Sequence, residues 1–229
     1  QPLPCSKELF PVGMEDGRPK VVCHYLLEKM RAAGIAKACI VMLRGKWDIP
    51  AYFGDGKLVG MDVMYRVVTE SPSAPHTLDF AWPFTRDSLI AFGFPDILFR
   101  TRDAYARMLK RLHETRADVV LGVFPIREPR TWDMVELDAR GRVTTIEFKP
   151  AKTNLRLGWS IAVWTPVFSR FMHEFVAGQR GQLPELIVGD VLLGAVENQL
   201  KVEAVEFADD VCLDIGTPEN LASALKQKW

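Results

Sequence analysis

Residues 88 to 96 read SLIAFGFPD, and the choice of fold turns on this stretch. Its apolar run is short, continuous and stopped by Pro95, the pattern of a strand covered on both faces rather than of a one-sided amphipathic strand. The acid comes one residue after the break, at Asp96. A carboxylate placed just beyond the end of a buried strand sits where open α/β sheets hold their ligands.

The neighbouring segments alternate in type. Downstream, DAYARMLKRLHETR (103–116) has the spacing of an amphipathic helix, and ADVVLGVFP (117–125) is another buried strand. Upstream lie KACIVML (37–43) and MDVMYRVVTE (61–70) as strands, with KWDIPAYFGDG (46–56) as a short helix closed by a glycine turn. SPSAPHTLDFAW (71–82) is a turn leading into a helix. PKVVCHYLLEKMRAAG (19–34) reads as a helix throughout, with Val22, Leu26, Leu27 and Met30 on one face and Gly34 at its end. This alternation predicts a mostly parallel sheet with helices on both faces.

The pattern changes after residue 125. DMVELDARGRVTTIEFKP (133–150) predicts two strands joined at Ala139-Arg140-Gly141. GWSIAVW (158–164) is a strand, PVFSRFMHEFV (166–176) a helix, and ELIVGDVLLGAVENQL (185–200) a further helix. KVEAVEF and VCLDIG are strands, and the last helix opens at Thr217-Pro218-Glu219 with an N-cap, a proline at the first helical position and an acid in the first turn. With no repeat and no linker, the prediction is one α/β domain over 1–229 with a mixed, mostly parallel sheet flanked by helices.

Composition narrows the function. The chain has 229 residues, with 29 Lys plus Arg against 29 Asp plus Glu, so it lacks the basic excess of a nucleic-acid surface. No apolar run reaches membrane-spanning length, and no leader peptide is visible. Cys5, Cys23, Cys39 and Cys212 form no CxxC and are expected as reduced thiols in a cytoplasm. The four histidines show no zinc-ligand spacing.

The chemistry rests on acids and lysines. Asp96 and Asp214 both follow apolar strands, and together they read as a pair for a divalent metal. Mg²⁺ favours one or two carboxylates plus phosphate oxygens, which points to a nucleotide or phosphate ligand. Lys7 follows Pro2 and Pro4 on a stiffened loop, and Lys149 ends the strand EFKP; each is a candidate phosphate-binding cation. Taken alone, each of these residues is also an ordinary turn carboxylate or surface lysine.

Six segments in order carry a resemblance: SKELFPV, PKVVCHYLLEKMRAAGI, YFGDG, PDILF, EFKP and LDIGTPENL. Together they resemble the sugar-phosphate nucleotidyltransferases, and in particular the bacterial glucose-1-phosphate thymidylyl- and uridylyltransferases. The resemblance implies a Rossmann-like fold related to the GT-A glycosyltransferases. The activity it implies is Mg²⁺-dependent, making an NDP-sugar and pyrophosphate from an NTP and a sugar 1-phosphate. In that family a GxGTRL loop precedes a segment like QPLPCSKELFPV, so the domain is expected to be incomplete at its N-terminus.

The resemblance assigns roles residue by residue. Lys7 matches the lysine beside the nucleotide phosphates; Asp96 and Asp214 match the metal-binding aspartates of the GDN-type and LDTGT motifs. Lys149 matches the lysine of EEKP that holds the sugar phosphate, Glu147 its first acid, and Gly158 a glycine close to the sugar. Lys7 and Asp96 are thus the expected catalytic groups, and Lys149, Glu147 and Gly158 the expected substrate-binding ones. The departures are Pro95 and Ile97 around Asp96, Phe148 in place of the second acid, and Pro75-His76 where a glycine near the base is usual. Base and sugar are left open, and a homo-oligomer is allowed.

Two alternatives stand beside this reading. One is a domain of the same family that binds nucleotide or sugar phosphate without turnover, as the altered sugar motif suggests. The other is a GT-A glycosyltransferase, which the single acid of Pro95-Asp96-Ile97 fits less well than an Asp-x-Asp would.

Overall fold

A computed structural model describes residues 5–179 and 185–229 of the chain, so Pro2 and Pro4 lie outside the described residues. It begins with a 3₁₀ turn at Lys7–Leu9, followed by strands β1 (Pro11–Glu15) and β2 (Arg18–Val21) and helix α1 (Val22–Ala32). Next come β3 (Lys37–Leu43), α2 (Asp48–Phe53), β4 (Asp62–Val68), α3 (Ala74–Asp79), α4 (Trp82–Thr85), β5 (Ile90–Gly93) and β6 (Ile97–Leu98). Helix α5 (Ala104–Thr115), β7 (Val119–Pro125), β8 (Asp133–Leu137), β9 (Val143–Phe148) and β10 (Leu157–Trp164) follow. The chain closes with α6 (Pro166–Gly178), α7 (Val188–Glu197), β11 (Val202–Glu206), β12 (Leu213–Asp214) and α8 (Pro218–Ala224).

The sheet is mixed. Its main body runs β11-β7-β10-β8-β9, with β5 also on β10, while β3 pairs with β4 separately. The β3–β4 and β11–β7 pairs are parallel, and β10 is antiparallel to β5, β7 and β8. Strand β10 owes its place to composition. Ile161 and Val163 join the core beneath α1 and α5, whereas Trp159, Ala162 and Trp164 join the core beneath α6 and α7. Strand β7 splits its residues in the same way, with Val120 and Phe124 on one side and Val119, Leu121 and Val123 on the other. Strands covered on both faces need apolar residues at every position, which explains the unbroken apolar runs.

The antiparallel setting of β10 was not expected from the sequence, and neither was the start of the first helix. The helix expected from Pro19 starts at Val22, because Arg18–Val21 pairs back on Pro11–Glu15 as a hairpin. Asp16 (φ 48°) and Gly17 (φ 75°) form the tight turn, an Asp-Gly signal that suits hairpins. At the other end, the Thr217 hydroxyl accepts the Asn220 N–H at 3.2 Å, as the cap pattern predicts. No helix among the described residues is long and apolar enough to cross a membrane.

Candidate active site

Lys7 is fixed by ties on both sides. Ser6 donates its N–H and its hydroxyl to the two oxygens of Asp48, at 2.6 and 2.9 Å, and Lys46 Nζ lies 2.6 Å from Glu8 Oε1. Leu9 is buried in the core below. The turn is thereby clamped onto the start of α2, and Lys7 reaches Asp96 at 2.5 Å. Burial pulls the Lys7 ammonium down, but the hydrogen bond and charge of Asp96 outweigh it, so its pKa is raised.

Asp96 lies between β5 and β6, and β6 pairs antiparallel with β12 so that Ile97 faces Asp214. The Asp96 carbonyl accepts the Ile215 N–H at 3.1 Å. The two aspartates, far apart in sequence, therefore occupy neighbouring positions on paired strands. Asp214 Oδ1 accepts the Gly216 N–H at 2.7 Å, and a Cβ at Gly216 would lie 2.9 Å from that oxygen. Burial raises the Asp214 pKa first and the negative charge of Asp96 adds to it, while the Gly216 N–H, Lys7 and Lys149 oppose the rise. Two carboxylates under the charge of two lysines could hold phosphate groups together with a hard cation. Their oxygen donors suit Mg²⁺, and Asp214 Oδ2 has no protein donor among the described residues.

Lys149 follows β9 and adopts φ 40°, a left-handed conformation unusual for a side-chain-bearing residue. Its charge acts on both Asp214 and Asp133. Glu147 pairs with Met134 across β8–β9 and is half-buried. Gly158 pairs with Phe124 and Met134, and a Cβ there would stand 2.7 Å from Ile126 Cγ1. Lys7, Asp96 and Asp214 are thus brought together, with Lys149 close enough to act on Asp214. Glu147 and Gly158 both pair with Met134 of β8, which relates them to one another and to Lys149 along β9 rather than to the aspartates.

Asp133 was not among the residues singled out from the sequence. It pairs directly with Phe148, and burial pushes its carboxyl up to about 6. Asp190 adds to the rise, while the charge and backbone N–H of Lys149 and the Trp159 indole pull it down. Neither the amide nor the indole reaches bonding geometry: Asp133 Oδ1 and Trp159 Nε1 are both buried without a hydrogen-bond partner. A β-bulge hides the relationship from the sequence. Leu137 pairs with Val143 but Glu136 pairs with Thr145, so the register shifts by one and carries Asp133 from Glu147 to Phe148.

Two other features lie apart from this site. A cleft of about 660 Å³ lined by Lys29, Arg100, Arg102 and Trp229 contains none of the residues above. Glu15, His24 and Glu28 bring three ligand atoms within 4.8 Å of one another. Lys20 Nζ already serves those carboxylates, at 3.1 Å from Glu15 and 2.6 Å from Glu28.

Comparison with known proteins finds related sequences and folds. The family model described as Nucleotidyl transferase matches residues 3–228. Glucose-1-phosphate thymidylyltransferase of Streptomyces griseus is 30% identical over 176 residues, covering 75% of this chain and 46% of that protein. The protein of the same name from Streptomyces antibioticus is 26% identical, covering 72% of this chain and 46% of its own length. The chain therefore spans about half the length of the curated relatives it matches. A glucose-1-phosphate thymidylyltransferase structure from Bacillus anthracis superposes with a TM-score of 0.83 at 16% identity, covering 97% of this chain and 86% of the other. A UDP-glucose pyrophosphorylase bound to UDP-glucose gives 0.80, also at 16%, covering 96% and 89%. At such identities the two structures establish the shared fold.

Proposed function

This chain belongs to the nucleotidyl transferase family, and from that premise we propose that the protein joins an NTP to a sugar 1-phosphate, releasing pyrophosphate and an NDP-sugar. The observation that carries the proposal is the meeting of Lys7, Asp96 and Asp214, with the charge of Lys149 acting on Asp214. In the reaction an oxygen of the sugar phosphate attacks the α-phosphorus of the NTP. The P–O bond to the β-phosphate breaks and pyrophosphate carries the electron pair away. That oxygen is already anionic, so no general base is required.

The obstacle is repulsion between two phosphates, and the lysines answer it. Lys149 holds the sugar phosphate, and Lys7 leaves Asp96 to neutralise the nucleotide phosphates. Asp96 and Asp214 would hold Mg²⁺. When bound, that ion supplies further neutralisation of the phosphate charge. Glu147 and Gly158 border the sugar. The substrates are small molecules, and the four free thiols favour a cytoplasmic setting.

Phe148 favours a second reading, a domain that binds sugar phosphate without turnover, because the residue is 37% exposed where the resemblance expects an acid. The test is to incubate the protein with Mg²⁺, each NTP in turn and a panel of sugar 1-phosphates, following pyrophosphate release. Release that depends on one sugar phosphate and one NTP supports the proposal. Binding of both without release supports the second reading.

A further inference from the structure

Resting on that reading, the structure assigns Asp133 a specificity-determining role, which we infer from its place beside Phe148. Phe148 and Asp133 face one another across β8 and β9. The register that puts a phenylalanine in the expected position of an acid therefore puts a carboxylate directly opposite it. The acid has not been lost from this part of the site; it has crossed to the neighbouring strand.

Three further observations support a ligand-directed role. Asp133 Oδ1 and the neighbouring Trp159 Nε1 are buried without reaching bonding geometry, and a structural carboxylate is normally hydrogen-bonded. Asp133 is grouped with the residues matched to the sugar: Lys149 acts on it electrostatically, and a Cβ at Gly158 would lie 3.4 Å from its carbonyl oxygen. Gly189, at the start of α7, closes the group. A Cβ there would stand 2.7 Å from Asp133 Oδ2 and 2.8 Å from Phe148 Cε1, so the glycine lets the helix lie close against both side chains as they stand.

A carboxylate beside an exposed aromatic ring suits a pyranose. The sugar's hydroxyls donate to Asp133, and the C–H face of its ring lies against Phe148. The substrate class is a hexose 1-phosphate carrying a free hydroxyl at the position that meets Asp133. A sugar deoxygenated there is disfavoured, because the carboxylate would remain unpaired.

The test compares wild type with Asp133→Asn and with Asp133→Ala/Phe148→Glu, which returns the acid to β9. Steady-state kinetics are measured with glucose 1-phosphate and its deoxy analogues, glucose 1-phosphate binding by calorimetry, and Tm by thermal denaturation. Asp133→Asn should raise the KM for the sugar phosphate by roughly 10-fold or more, leave the KM for NTP within about 2-fold, and not lower Tm. The double variant should recover part of the loss. If Asp133→Asn leaves the sugar KM unchanged, or lowers Tm while raising both KM values together, the residue is structural and the inference fails while the transferase reading stands. If wild type shows no turnover but loses glucose 1-phosphate affinity on Asp133→Asn, the transferase reading fails and this inference stands. Neither turnover nor binding in wild type would overturn both.

Discussion

Lys7 Nζ lies 2.5 Å from Asp96 Oδ2, joining residues 89 positions apart. The pair gives the ligand-free site a built-in cation. On the proposed function, a metal competes with Lys7 for Asp96 until phosphates draw the lysine away. Lys7→Met should raise the affinity of the ligand-free protein for Mn²⁺ several-fold and lower turnover about 100-fold. Calorimetry and pyrophosphate release measure the two effects, and their opposite directions distinguish this account from general damage to the site.

The second prediction concerns pH. The folded-state pKa of Asp133 is raised to about 6, above its ordinary 3.8. The folded protein therefore holds this proton more tightly than the unfolded chain does. The stability contributed by Asp133 is present below about pH 4 and is lost as pH rises through 6. Asp133→Asn should accordingly be more stable than wild type at pH 7.5, by on the order of 2 kcal/mol. The difference should vanish near pH 4, as denaturant titrations at the two pH values would show.

Lys29 provides a similar test away from the site. It is buried, and burial lowers its pKa to about 8, with its ammonium 4.9 Å from the Phe99 ring. A lowered lysine pKa means that the charged form is penalised in the fold, so stability should rise as pH climbs from about 8 towards 10.5. Lys29→Met should raise Tm by several degrees at pH 7, with the gain shrinking above pH 10. An unchanged or lower Tm at pH 7 would show that the aromatic contacts already offset the burial.

Gly158→Ala tests the packing beneath the proposed sugar site. The new methyl would meet Ile126 Cγ1 at 2.7 Å and the Asp133 carbonyl at 3.4 Å. Ile126 Cγ1 must move by a change of rotamer or a small backbone shift, so the stability cost should be about 1–3 kcal/mol. Because Gly158 is proposed to border the sugar, the KM for sugar phosphate should rise more than the KM for NTP.

Much of this was legible in the sequence, for physical reasons. Asp96 follows the apolar run of β5 and Asp214 closes that of β12, which marked both as candidates, while the antiparallel β6–β12 pair that joins them was not visible. The ends of α5 and α8 were also visible, through the amphipathic spacing of 103–116 and the Thr217 cap. The central antiparallel position of β10 was not, because its apolar run reads the same in a parallel or an antiparallel pair. The hairpin at Asp16-Gly17 had a local signal, obscured by the helical spacing that begins at Val22. Asp133 was hidden for another reason. Without the bulge at Glu136/Leu137, counting outward from the turn pairs it with Glu147, and only the folded strands reveal the shift to Phe148.

The central claim is that Asp96 and Asp214 together bind one divalent cation beside the nucleotide phosphates. Mn²⁺ binding measured by electron paramagnetic resonance with NTP present tests it most directly, in wild type, Asp96→Asn and Asp214→Asn. The account predicts one protein-dependent Mn²⁺ site in wild type and its loss in each variant, with turnover falling by orders of magnitude. A site retained at full affinity in either variant would contradict it.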